Sequence, residues 1–191
     1  AAIKIAVKGY ERTQLMTETL AVSSQFIFDR MKGYLGEKGI KPSVTRAVFA
    51  SDSPSPLDLS HRIDAIQSFS KLPQAADLIA SQKRISNILK KNEEAKLLPK
   101  PRKKLLEIPA EIALVEYYEQ LQKTTNTLYQ QKDYQQYLIE IAGCKAHVDR
   151  FFDEVKIITA NKEITENRLS IMNEANELFC RIGDLTDLDL N

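Results

Sequence analysis

The sequence predicts an all-α protein, and three observations carry that expectation. Apolar residues recur at steps of three and four along most of its length. Alternating runs of strand length are hard to find. Glycine is scarce, with six in 191 residues. A hydrophobic fraction of 43% supplies enough apolar side chain for a sizeable core.

From Glu11 to Leu35 one broad stripe runs through Leu15, Thr19, Val22, Phe26, Arg30, Met31 and Tyr34, which predicts a first helix. Gly33, Gly36 and Gly39, followed by Lys41-Pro42, are expected to end it. A short apolar piece spans Val44 to Phe49, and the turn-rich SDSPSP (51–56) breaks the chain. Leu57, Leu59, Ile63, Ile66 and Phe69 then predict a short helix. Pro73 suits the first turn of another helix, reaching about Lys91. Residues 92–108 form a basic, proline-interrupted connector.

Three long helices are expected after it. The first starts near Pro109 and carries Leu114, Tyr118, Leu121, Thr125 and Leu128. The second, capped by Asp133, carries Leu138, Ile141, Lys145, Val148, Phe152 and Val155 in one continuous stripe. The third is capped by Asn161, has Glu163 in its first turn, and carries Ile164, Ile171, Ala175, Leu178 and Ile182, with Gly183 as C-cap. Stripes of this kind bury against one another, which predicts a helical bundle.

Composition excludes several classes. Formal net charge is +1, so any anion-binding surface must come from local clustering. Cys144 and Cys180 make no disulfide framework. No apolar run approaches the ~20 residues of a membrane span. The start, AAIKIAVKGYERTQ, lacks an initiator methionine and a signal-peptide pattern, and reads as part of a longer intracellular chain.

No catalytic signature emerges. GYLGEKG (33–39) lacks the spacing and the GK[ST] ending of a phosphate loop and reads as a helix stop. There is neither GxSxG nor HExxH. Cys144 and His147 lie three apart on one helix, but a zinc site needs three or four ligands and His61 is on another segment, so no metal site is expected. Asp52, Asp58 and Asp64 are spread over a turn and a helix start, where capping accounts for Asp58 better than acid–base chemistry.

The informative stretch is PQAADLIASQKRISNILKK (73–91). At about 100° per residue, Leu78, Ile85 and Leu89 share one side. Lys83, Arg84, Asn87, Lys90 and Lys91 fall within an arc of roughly 120° on the other. Cations beside an amide, with no carboxylate among them, suit phosphates and base edges. The connector adds Lys96, Lys100, Arg102, Lys103 and Lys104 against Glu93, Glu94 and Glu107. The bland alternative is a solvated helix face followed by a charged linker. Among the tyrosines that follow (117, 118, 129, 134 and 137), Tyr118 belongs to the apolar stripe, leaving Tyr117 as the exposed candidate for stacking on a base.

Five motifs, in order and spacing, resemble the C-terminal region of the beta subunit of bacterial glycyl-tRNA synthetase: FIFDRMKGYLGEKG (26–39), VTRAVFASDSPSPLDLSHRIDAI (44–66), FSKLPQAADLIASQKRISNILKK (69–91), LLEIPAEIALVE (105–116) and FFDEVKIITANKEITENRLSIMNEANELFCRIGDL (151–185). They cover nearly the whole chain. KIITANKE and the connector around PKPRKK depart from the family pattern.

The resemblance implies a helical bundle of the class I synthetase anticodon-binding type over 71–191, preceded by a smaller helical connecting segment over 1–70. It implies binding to the anticodon arm of glycine tRNA through Lys83, Arg84 and Asn87, then Lys90 and Lys91; Lys103, Lys104 and Tyr117 are added as candidates from the charge and aromatic pattern alone. It also implies a cytoplasmic alpha2beta2 ligase whose aminoacylation site, with its ATP and Mg²⁺, lies in the alpha subunit, so that this segment carries no catalytic residue and no cofactor. The alternative is a helical module that docks onto partner subunits, for which the stripe within Ala1–Phe49 is the candidate surface.

Overall fold

A computed structural model describes residues 17–51, 56–93 and 100–190. The expected helix start at Glu11, most of the SDSPSP turn, and the connector around Lys96 lie outside the described residues. Eight α-helices are described: α1 Thr17–Glu37, α2 Pro42–Phe49, α3 Pro56–Phe69, α4 Gln74–Lys91, α5 Pro109–Gln131, α6 Tyr134–Ala142, α7 Lys145–Glu154 and α8 Lys162–Cys180. A 3-10 turn, Lys103–Leu105, precedes α5. No strand occurs among the described residues, and none of their helices is long and apolar enough to cross a membrane.

The helix boundaries correct the sequence reading in four places. Gly33 and Gly36 lie inside α1, where both are exposed with nothing near a would-be Cβ; only Gly39, at φ +77°, ends it. The N–H of Ile40 donates to Leu35 O at 3.0 Å and that of Gly39 to Gly36 O at 2.9 Å, the paired bonds that close a helix through a left-handed residue. Val44–Phe49 is helical (α2), because Pro42 presets its first turn and Val44, Ala47 and Val48 all face inward.

The expected helix over 133–155 is two helices. It breaks at Gly143–Cys144, so that α6 can lie on α3 and α5 while α7 turns to α5 and α4. The break re-phases the stripe: in α7 Val148 and Phe151 are buried, and Phe152 moves to the rim. Gly183 is not a left-handed C-cap. A Cβ there would meet Ala47 O at 2.9 Å, so glycine permits the close backbone approach in which Asp184 N donates to that same oxygen at 2.9 Å.

Asp133 and Asn161 do cap α6 and α8. The first accepts from Gln136 N at 3.2 Å, the second from Glu163 N at 3.0 Å and Ile164 N at 3.3 Å.

One hydrophobic core runs from α2 through α8 to Leu188, continuous across residue 70, with Ile63, Ile66 and Phe69 of α3 in the same cluster as Leu138 and Ile141 of α6. Two buried ionic clusters lock it. In the first, Arg62 donates to Asp58 (2.8 Å), Ser51 Oγ (3.0 Å), Arg181 O (2.9 Å) and Tyr129 Oη (2.9 Å), and the Tyr134 hydroxyl donates to the other Asp58 oxygen. Burial first, then that bond to Asp58, push the Tyr134 phenol up to about 12. In the second, Glu111 accepts from the N–H groups of Glu107 (2.7 Å) and Ile108 (2.9 Å) at the start of α5 and also pairs with Arg168 of α8. Arg168 continues to Lys156 O at 2.9 Å.

Candidate nucleic-acid interface

α4 is positioned from its inner side. Leu78, Ile79 and Ile85 enter the core, and Gln82, fully buried, accepts from Leu185 N at 3.1 Å, tying the helix to the segment that follows α8. That anchoring fixes which side faces out. Lys83, Arg84, Asn87, Lys90 and Lys91 are all exposed on one outward arc, together with Ala76 and Ala80. Among the described residues, none of the four cations lies within ion-pair distance of a carboxylate. Two carboxylates on α4 and α7 have a cation of their own: Lys145 Nζ sits 2.7 Å from Asp149 and 3.7 Å from Asp77. The positive field of the arc is therefore not cancelled at contact range.

Within this arc Arg84 is singular. Its guanidinium carbon lies 3.8 Å from the centre of the Phe152 ring on α7. Sequence reading placed Phe152 in an apolar stripe, and the only signal for its real position was the Phe151-Phe152 doublet, of which a helix can bury one member fully. Lys90 and Lys91 occupy the last turn of α4, where cations suit the carbonyl end of the helix.

The other sequence candidates are placed elsewhere. Lys103 is exposed, but its ammonium is 2.8 Å from Glu119, and that hydrogen bond raises its pKa. Lys104 is exposed beside it, on a turn held to α8 by Arg102 N donating to Asn167 Oδ1 at 2.6 Å. Tyr117 is half-buried rather than open: its ring stacks on His147 at 4.2 Å between centroids, and burial raises its phenol pKa. The face turned to His147 is closed to a base. Cys144 is buried, which pushes its thiol up to about 12, and no cluster of three or more metal-ligating side chains occurs among the described residues.

An outward basic arc on a helical bundle offers a cationic surface of the kind that phosphates need. Residues 78–188 match the family described as the DALR anticodon binding domain. The chain belongs to that family. The matched range opens inside α4 and takes in Lys83, Arg84, Asn87, Lys90 and Lys91.

Relatives sharing this region include a glycine–tRNA ligase beta subunit from Coxiella burnetii (strain Dugway 5J108-111), 39% identical over 165 residues, 86% of this chain and 24% of the relative. One from Proteus mirabilis (strain HI4320) is 33% identical over 164 residues, 86% of this chain and 24% of the relative. One from Ectopseudomonas mendocina (strain ymp) is 31% identical over 188 residues, 98% of this chain and 27% of the relative. The chain thus spans about a quarter of the length of the curated relatives it matches.

Proposed function

We propose that this chain is the tRNA-binding segment of a glycine–tRNA ligase beta subunit and holds the anticodon arm of glycine tRNA against α4. The observation that carries the reading is the exposed, carboxylate-free arc of Lys83, Arg84, Asn87, Lys90 and Lys91 inside an anticodon-binding family match. The ammonium and guanidinium groups meet phosphates of the loop, while the Asn87 amide reaches a base edge, since unpaired loop bases are what proteins read in RNA. Binding here contributes position: a held tRNA body brings its acceptor end to a distant active site. Aminoacylation, with ATP and Mg²⁺, belongs to a separate alpha subunit in a cytoplasmic alpha2beta2 enzyme, and this segment needs no cofactor.

The test is fluorescence anisotropy with labelled glycine tRNA and with a tRNA differing only in its anticodon. Tighter binding of the glycine tRNA supports the reading. Equal affinity for both removes anticodon recognition.

A second role in the same chain has its own observation. Val22, Phe26, Ile27, Phe28 and Tyr34 of α1 are exposed, and α1 leans on the rest of the molecule chiefly through α2. This surface fits docking onto the alpha subunit. Light scattering of the chain mixed with that subunit reads the complex mass directly, and an unchanged mass counts against docking.

A further inference from the structure

Resting on that reading of α4, we infer that Arg84 is a stacking platform for one unpaired base of the bound RNA, held flat by Phe152 from beneath, with Asn87 placed to bond the edge of that base. The distance carries the first part. At 3.8 Å from the ring centre, the guanidinium carbon is at stacking thickness; an N–H aimed into the ring would set that carbon farther out. One face of the plane is therefore covered by Phe152. Arg84 is exposed, and among the described residues the Phe152 ring is the one aromatic or polar contact of its guanidinium, which leaves the opposite face to a ligand.

Comparison with the other stacked arginines carries the second part. Arg181 lies 3.9 Å over Tyr129, but it donates to Asn126 at 2.6 Å and is half-buried. Arg62 is buried, with its donors engaged by five partners. Arg84 is the one stacked arginine among the described residues with no hydrogen bond or ion pair to protein. Its plane is held, yet its donors remain available.

The surroundings carry the third. Asn87 follows one turn later and so stands beside Arg84 on the same face. Ala76 and Ala80, exposed on the same arc, leave room for a ribose-phosphate backbone to approach. Lys83 and Lys90 flank the pair for the adjoining phosphates. A planar cation backed by an aromatic ring suits a base, whose π-face is tolerant of identity, while an amide one turn away supplies the discrimination.

The test is a double-mutant cycle on this chain and a glycine-anticodon stem-loop in which each loop position in turn is made abasic. Wild type is expected to lose about five- to hundredfold affinity at one position. In Arg84→Lys, which keeps the charge and removes the plane, that loss should shrink to less than about threefold, with the salt dependence unchanged. Phe152→Leu should reproduce part of the effect by unseating the guanidinium, with circular dichroism showing the fold intact; if that variant unfolds, Arg84→Lys still decides. If the stem-loop binds but no abasic position couples to Arg84, no base rests on the guanidinium face and the platform is overturned, while RNA binding by α4, with the Arg84 N–H edge on a phosphate, stands. If the stem-loop does not bind at all, the reading of α4 and the platform fall together.

Discussion

Replacing Lys83, Arg84, Lys90 and Lys91 by glutamine removes every cation of the α4 arc while keeping helix-favouring side chains. All four are exposed and free of carboxylates among the described residues, so each can meet one phosphate and release one counterion. At roughly 0.7 per single-strand contact, four contacts set the slope of log affinity against log salt near about −3. Between 50 and 200 mM salt the affinity should therefore fall roughly sixtyfold. In the quadruple variant that dependence should collapse to nearly flat, and in Lys83→Gln alone the slope should lose about 0.7.

Stability should fall only slightly. None of the four is buried; Lys90 and Lys91, in the last turn, contribute a few tenths of a kcal/mol through the helix dipole, and the stack of Arg84 on Phe152 contributes about 0.5–1 kcal/mol. Anisotropy with the stem-loop at four salt concentrations measures the slope, and thermal melts in the same buffers confirm folding. A folded quadruple variant that keeps the wild-type slope would place the phosphate contacts elsewhere and refute the assignment to α4.

Four further outcomes follow from the interior. Arg62→Met removes the buried guanidinium that pairs with Asp58 and bonds Ser51, Tyr129 and the Arg181 carbonyl, and should destabilise by about 3–5 kcal/mol in urea titration; a loss near zero would mean that this cluster does not hold the fold. Gly183→Ala drives a methyl into Ala47 O and the Ile66 side chain and should destabilise by about 1–3 kcal/mol, read as a lowered melting temperature. Folding raises the phenols of Tyr134 and Tyr137 to about 12, chiefly through burial. The folded state therefore holds protons that the unfolded state releases near pH 10, and stability should be full below that pH and fall as pH rises from about 10 through 12. Tyr137→Phe should reduce this alkaline loss in urea titrations at pH 9 and 11. Cys144, buried and with its thiol at about 12, should react with a thiol reagent at pH 8 only when urea opens the fold, and stoichiometric labelling of the native chain at both cysteines would contradict its burial.

Much of this architecture was legible from periodicity, and the exceptions have specific causes. The long stripes of α5 and α8, with Asn161 at a helix start, are local signals read within one helix. The break between α6 and α7 was visible as Lys145 at a position where the stripe required an apolar residue, yet a charged side chain at a four-residue step also fits an unbroken helix, and only the packing against α3 and α4 selects the turn. Gly183 was read as a cap because sequence cannot show a backbone approaching from Ala47, far away in the chain. The basic arc of α4 was legible because its five residues lie within nine positions of one helix. The stack of Arg84 on Phe152 was not, since it joins residues on different helices whose facing is set by the core. Tyr117 was misjudged for the same reason: its neighbour His147 comes from α7.

The motifs that carry the family resemblance divide by what their polar residues do. In SHRIDAI, Arg62 is buried and ties α3 to the carbonyls at the end of α8 and to Tyr129 of α5. In IPAE, Glu111 caps α5 and pairs with Arg168 of the NRLSIM segment, so two motifs distant in sequence are the two halves of one ion pair. Buried charges of this kind tolerate little change, because removing either partner strands the other in a dry interior. In KRISN the arrangement is inverted: Lys83 and Asn87 face solvent and hold nothing of the fold together, and Arg84 touches the rest of the fold through the Phe152 ring alone. Substitutions there should be nearly silent in stability, so a large effect on RNA affinity would come from contact and not from unfolding. That separation is what makes α4 the place where binding can be tested apart from folding, and a variant of Lys83 or Asn87 that melts early would show that the division drawn here is false.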